Sequence, residues 1–322
     1  MANTNLYSLA QINGSDVYTS LVEDYVLYTP EFYQMPAIAH AGTDFKTTIR
    51  TGLPNAAFRL ANQSLTGSAS TYKQTIHQMA FIDAPVVVDE MIYKGADGNM
   101  GDLLYLETQG ALQAVSAKIA TQTWYGASND GTNGFVGIRA QLNPTGSTYS
   151  NGVTVVTASN ANNSTTAYLL WQNPQGVSYA VGKYGEIAIQ PITRQWITTG
   201  ANNSGTSAAG YWAYVSTVSA WVGLTVASTY SAYGVTGITN TAPLTDNLAV
   251  QLLVNVPLTR RIGMTWWMNP LAHTTLEIQR SSIKNQPSLA DSGAPAFSPP
   301  PLRLAGLPIV LTNAITNTEN NA

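Results

Sequence analysis

Three histidines, no cysteine, and 17 acidic against 14 basic side chains limit the chemistry this chain could do. His40, His77 and His273 lie far apart, with no metal-ligand spacing, and read as surface or hydrogen-bonded structural residues. The lack of cysteine removes disulfides, thiolate zinc sites and thiol nucleophiles. Asp97-Gly98-Asn99-Met100-Gly101-Asp102 starts like a calcium loop, but Thr108 stands where such a loop needs its bidentate Glu, so it reads as a turn feeding a helix. Asp89-Glu90 is a carboxylate pair without an evident counterpart across a substrate, which reads as a solvated strand end. There is no G-x-S-x-G elbow and no phosphate loop, since Gly182-Lys183 continues into Tyr184. Asn62, Asn162, Asn163 and Asn202 open N-x-[ST] patterns that chance explains in so Asn/Ser/Thr-rich a chain. The aromatics Tyr211, Trp212, Tyr214, Trp221, Tyr230 and Tyr233 could stack sugars or bases, but such residues more often fill cores and interfaces. The expectation is a protein that is not an enzyme and needs neither cofactor nor metal.

The elements that carry these residues sit in a chain of 322 residues with a formal charge of −3 and only 10% charged side chains. An average globular protein has about 25%. A chain this long buries a large core. So little positive charge gives little of the phosphate neutralisation that drives nucleic-acid binding, and a low net charge favours association. No secretory signal is evident at the start. Residues 195–245 carry no charge, yet polar residues interrupt every apolar run short of a membrane helix, so no membrane association is expected.

Periodicity predicts a short amphipathic helix over 15–29, with Tyr18, Leu21, Tyr25 and Tyr28 on one side and Pro30 as the stop. Residues 45–50 alternate like a half-exposed strand, 51–75 are polar and Gly-rich, and a second strand-like run spans 79–88. Together they predict a long projecting hairpin, of the kind usually held by a partner. The strongest helix signal covers 102–125, capped by Asp102 and stopped by Gly126. It would be about 35 Å long. Its side with Leu103, Leu106, Gly110, Ala114, Ala117, Thr121 and Trp124 is expected to pack closely on a sheet. Strands are predicted over 153–156, 167–171, 186–189 and 211–226, and a helix over 246–255. Residues 263–268 read as a strand, Asn269-Pro270 opens a helix through Lys284, 286–301 form a loop, and 302–311 close the chain as strands.

This order of elements, with particular stretches, resembles the major capsid protein of tailed double-stranded-DNA bacteriophages, the Hong Kong 97-type fold. Arg50-Thr51-Gly52-Leu53-Pro54 followed by Phe58-Arg59 and Asn62 is similar to the opening of the extended loop in one group of these proteins. Trp124-Tyr125-Gly126, then Gly134-Phe135-Val136-Gly137-Ile138-Arg139, is similar to the end of its spine helix and the exit loop. Trp267-Met268-Asn269, Leu276-Glu277-Ile278-Gln279, and Gly306-Leu307-Pro308-Ile309 with Ala314-Ile315 resemble its closing segments.

The resemblance implies an α+β chain with an N-terminal arm (1–42), an extended β-hairpin loop (43–88), a peripheral domain with the spine helix (89–134 and 256–322), and an axial domain (135–255). It implies pentamers and hexamers of many copies forming an icosahedral head around double-stranded DNA, assembled in the host cytoplasm. The implied partners are a scaffolding protein, a portal and a candidate decoration protein, with weak, non-specific contact to packaged DNA. No long charged stretch precedes residue 15, which points to a separate scaffold rather than self-cleavage, and Lys46 and Lys73 have no identifiable cross-linking partner. Arg50, Arg59, Lys73, Tyr25, Tyr28, Trp212 and Trp221 are the expected inter-subunit contacts. The neutral stretches between Arg139 and Lys183 and over 195–245 are expected to face other copies. The competing reading is a phage tail or fibre protein, or a carbohydrate-binding β-rich adhesin; the two long helices count against it.

Overall fold

A computed structural model of the chain describes residues 28–95, 100–126, 134–142, 154–159, 161–183, 187–198, 210–284 and 302–319. In chain order the elements are helix α1 (Glu31–Gln34), strands β1 (Ala37–His40), β2 (Asp44–Gly52), β3 (Thr71–Gln78) and β4 (Ala80–Asp89), then α2 (Glu90–Gly95), α3 (Met100–Tyr125) and α4 (Ile138–Gln141). Strands β5 (Val155–Thr157), β6 (Thr165–Trp171), β7 (Val177–Gly182), β8 (Ala188–Ile189), β9 (Thr193–Thr198), β10 (Gly210–Val226) and β11 (Ala232–Ile238) follow. Helices α5 (Asp246–Val254) and α6 (Leu258–Arg261), strand β12 (Met264–Met268), helix α7 (Pro270–Lys284), and strands β13 (Arg303–Leu304) and β14 (Leu307–Leu311) complete the chain. It is α+β, as expected.

The described residues divide into two compact units: those within 81–119 and 183–222 belong to the first, and those within 28–80, 120–182 and 223–322 to the second. In the first, β10 pairs with β4, and antiparallel with β8 and β9. Its small core joins Val86 and Val88 of β4 to Ile92 of α2 and Leu104 of α3.

The second unit holds a six-stranded sheet in the order β13-β14-β12-β6-β11-β5. In register across its middle, Leu169 of β6 lies between Trp266 and Tyr233, and Tyr168 between Trp267 and Gly234. Successive residues of a strand face opposite sides, so two layers result. Leu169, Trp266 and Tyr233 join Leu244, Ala249, Leu252 and Leu276 from the α5 and α7 region in one core. Tyr168 and Trp267 instead meet Trp124 at the end of α3, at ring separations of 4.9 and 5.7 Å. With both faces covered, β6 is buried from Thr165 to Leu170, which explains a nearly continuous apolar run without alternation.

Local signals placed many ends correctly. Thr245 Oγ1 caps α5 by accepting from Leu248 N at 3.3 Å, and Asn269 Oδ1 accepts from Leu271 N at 2.8 Å before α7. Gly126 ends α3, where a Cβ would stand 2.2 Å from the Phe135 carbonyl oxygen; only glycine lets the exit loop pass so close.

Four expectations need correction. The hairpin's return strand is β3, while the 79–88 run is the separate strand β4, which pairs with β10. Helix α3 already runs at Met100, so Asp102 lies in its first turn and is not its cap. Trp124 of the expected side is buried, but the other buried residues are Leu104, Val115, Ile119, Ala120 and Thr123, whereas Gly110, Ala114 and Thr121 of that side are exposed and a Cβ on Gly110 would meet nothing. Much of the described part of the neutral stretches is interior to its own chain: β6, β7 and β11 are almost wholly buried, and these strands lack charge because both faces are covered. The helix expected over 15–29 falls mostly outside the described residues, and Tyr28 and Thr29 are not helical. The calcium-like turn and the loop at 286–301 also lie largely or wholly outside them.

Candidate functional site

Among the described residues, the hairpin of the second unit is the feature with least support from its own chain. β2 and β3 pair antiparallel from Asp44↔Gln78 to Gly52↔Thr71, with an irregularity between Arg50 and Gly52. Only the base is buried: Phe45 is stacked between His40 and His77, with ring separations of 4.8 and 5.0 Å, and Thr47 Oγ1 lies 3.0 Å from His77 Nε2. Burial holds the His77 imidazole below its ordinary pKa, so it serves as a neutral packing group.

Beyond the base, the strands expose nearly every side chain, and the tip from 53 to 70 is exposed almost throughout. Leu53, Phe58, Leu60, Leu65, Tyr72 and Ile76 are the large apolar groups left open. The tip is nevertheless ordered by its own polar contacts. Asn55 N donates to Ser68 Oγ at 2.5 Å, Leu60 N to Gln63 Oε1 at 3.1 Å, and Arg59 Nη1 to the Gln63 carbonyl at 3.3 Å. Arg50 stands over the Tyr72 ring at 5.7 Å, and Lys73 sits opposite Ile49 on the other face. The segment 43–80 thus carries Lys46, Arg50, Arg59 and Lys73 against one carboxylate, Asp44.

Of the other expected contact residues, Tyr28 is exposed and its carbonyl accepts from Asn313 N at 3.1 Å, while Tyr25 lies outside the described residues. In the first unit, Trp212 is part-exposed beneath the Arg194 guanidinium at 4.2 Å and edge-on to Trp196 at 5.4 Å. Arg194 in turn donates twice to Glu90 Oε2, at 3.0 and 2.8 Å, and Lys94 meets Glu90 Oε1 at 2.7 Å. The bonds from Lys94 and then Arg194 hold the Glu90 carboxyl below its usual range. Trp221 is stacked on the exposed Phe81 at 4.9 Å. The second unit also exposes Val250, Val254, Leu258 and Ile262, an apolar row at intervals of four from α5 to just past α6.

Sequence reasoning missed Trp196 and Arg194 beside Trp212, and the two glutamates of the interior. Glu319 receives Tyr125 Oη at 2.5 Å and Thr166 Oγ1, and pairs with Arg139 Nη1 at 3.0 Å. Burial raises its pKa while Thr166, Tyr125 and Arg139 oppose the rise. Asp89-Glu90, read as a solvated strand end, is instead partly an ion-pair anchor through Glu90. Among the described residues there is no group of His, Asp or Glu suited to a metal ion, and no helix long and apolar enough to cross a membrane.

With a two-stranded hairpin, a long helix and a mixed six-stranded sheet, the chain has the Hong Kong 97-type capsid fold. A solved structure of bacteriophage Epsilon15 shares it, with a TM-score of 0.72 and 17% identity over 100% of this chain and 98% of that one. The bacteriophage JBD30 capsid matches with a TM-score of 0.46 and 10% identity, over 95% and 98% of the two chains. Comparison with the curated proteins gives no match. The sequence pattern of the family "Major capsid protein GP7" matches residues 33–322, and the chain belongs to that family. It is a phage coat protein that assembles with copies of itself into the icosahedral head and resides there in the virion. The adhesin or fibre reading is not favoured.

Proposed function

We propose that the hairpin of residues 43–80 is the principal grip of one subunit on another, and that the protein's work is assembly rather than catalysis. The observation that carries this is a pair of strands with a buried base, while Leu53, Phe58, Leu60 and Leu65 at the tip are exposed, with nothing among the described residues to cover them. An apolar tip on a cationic stem fits a neighbour with an apolar recess and a carboxylate rim. Arg50, Arg59 and Lys73 make the charged contacts, Trp212, Trp221, Tyr25 and Tyr28 the aromatic ones. Pentamers and hexamers are the assembly units, with 1–42 as N-terminal arm, 43–88 as extended loop, 89–134 and 256–322 as peripheral domain and 135–255 as axial domain. Assembly takes place in the host cytoplasm around a scaffolding protein. The portal joins at one vertex, a decoration protein binds the outer face, and contacts with the packaged DNA are weak and not sequence-specific, given so few cations.

Excising 56–67 and joining Asn55 to Ser68 tests the grip, because those two residues already approach to 2.5 Å at the neck of the tip. The expected result is a folded subunit with unchanged circular dichroism that forms no closed shells by electron microscopy. Normal shells from this variant would refute the reading.

A further inference from the structure

Glu31 opens α1 with a side chain wholly withdrawn from solvent. Its Oε1 accepts from Trp124 Nε1 at 2.8 Å and from Thr312 Oγ1 at 2.5 Å, while Oε2 has no partner among the described residues. From α3 the carboxyl faces Trp124, and from the C-terminal segment Thr312. From β7 comes Tyr179, stacked on Phe32 at 5.3 Å, its hydroxyl 2.8 Å from Thr123 Oγ1. Tyr179 is the titratable group among these, burial and the nearby carboxyl keep its phenol protonated, and no cation pairs with Glu31 among the described residues.

We propose that Glu31 is held as a neutral carboxylic acid, and that its ionisation releases the two chain segments, 28–35 and 312–316, that meet on the last turn of α3. The geometry favours the neutral form: the carboxyl is withdrawn from solvent, both side-chain donors go to one oxygen, and among the described residues neither a cation nor a further side-chain donor stands by to stabilise a charge. The interior's other carboxylate, Glu319, differs in having Arg139 at 3.0 Å to accept its charge. The released segments are joined at the same place, by Asn313 N to the Tyr28 carbonyl at 3.1 Å and Thr316 N to Tyr125 Oη at 2.8 Å. On ionisation the proton passes to solvent, and a bare charge remains in an apolar junction.

Burial, against the opposing bonds from Thr312, Trp124 and the residue's own backbone, raises the Glu31 pKa above its ordinary 4.5. A raised pKa contributes stability that is complete below the unfolded value and is lost as pH rises through the folded one. Raising the pH from the ordinary 4.5 through the raised folded value therefore loosens this junction.

The test follows the melting temperature of purified subunits and shells from about pH 5 to about pH 9. Wild type should lose several degrees as pH rises; Glu31→Gln, whose amide oxygen keeps both accepted bonds, should remove most of that loss, and Glu319→Gln should retain most of it, because Arg139 offsets the burial of Glu319. Where Glu31→Gln fails to fold, glutamate labelled with ¹³C in the Glu319→Gln protein gives a second readout. The infrared band of a buried protonated carboxyl should persist above the ordinary carboxylate range and vanish as the pH is raised further, together with faster proteolysis around 312–316. A Glu31→Gln profile parallel to wild type, or no such band, overturns the proposal.

Discussion

The hairpin β2–β3 and the six-stranded sheet around β6 are built from similar strand-forming residues, yet one leaves almost everything exposed and the other almost nothing. β2 reads DFKTTIRTG and β3 TYKQTIHQ, alternating charge or hydroxyl with aliphatic groups; β6 reads TTAYLLW and β12 MTWWM, nearly unbroken apolar runs. The sheet is finished within one chain, with Trp266 and Leu169 against helices on one face and Tyr168 and Trp267 against Trp124 on the other. The hairpin is finished only as far as Phe45 and His77. The contrast separates two uses of β-structure: burial that folds the subunit, and exposure that leaves binding area for its copies.

That separation can be broken by measurement. The largest effect on folding belongs to Trp266→Ala, which empties a wholly buried site and removes the indole bond to the Leu304 carbonyl at 3.1 Å. The subunit should lose about 3–5 kcal/mol in denaturant unfolding. Next, Arg139→Met strips the counter-charge from buried Glu319 and should cost about 3 kcal/mol by the same assay. The double change Phe58→Ser with Leu60→Ser should shift subunit stability by less than about 0.5 kcal/mol, since both side chains are already in solvent. Shell yield by sedimentation should nevertheless collapse, and a large loss of subunit stability would erase the distinction drawn here. Arg50→Ala should cost the subunit about 0.5 kcal/mol or less, the worth of one exposed cation–π contact, while slowing assembly measured by light scattering. The smallest effect is that of Glu90→Gln. Because Lys94 and Arg194 lower the Glu90 pKa, its contribution exists above the ordinary value of 4.5 and is lost as pH falls through the lowered one. The variant should therefore melt slightly below wild type at neutral pH and match it in acid.

What could be read from the sequence was whatever is decided within a few residues. Asn269-Pro270 before α7, Thr245 before α5, Gly126 after α3 and the alternation of 45–50 all act through their immediate neighbours, and each landed where expected. The order of such elements, joined to the stretches around Arg50, Trp124 and Trp267, also sufficed for the family. The candidate contacts were legible as residue types, but not in their companions: Trp212 was expected, whereas Trp196 and Arg194 on β9 reach it only through pairing with β10.

Tertiary structure alone decided which equally plausible surfaces are used. The small-residue side of α3 was chosen as the buried one because small groups permit close approach, but Leu104, Val115 and Ile119 offer more apolar area and won. The strand-like run at 79–88 reads as the hairpin's return, with 51–75 as its polar, Gly-rich tip; pairing instead selected the polar β3, and 80–89 became the separate strand β4. Glu31 after Pro30 and Glu319 near the chain's end carry every local mark of exposed acids. Their burial follows from Trp124, Thr312, Tyr125, Thr166 and Arg139, residues as many as 281 positions away, whose donors can be gathered only by the closed fold. The low charge of the chain was legible from composition. That uncharged strands such as β6, β7 and β11 fill the subunit's own interior, while the cationic hairpin stays exposed, was decided by which strands are covered on both sides.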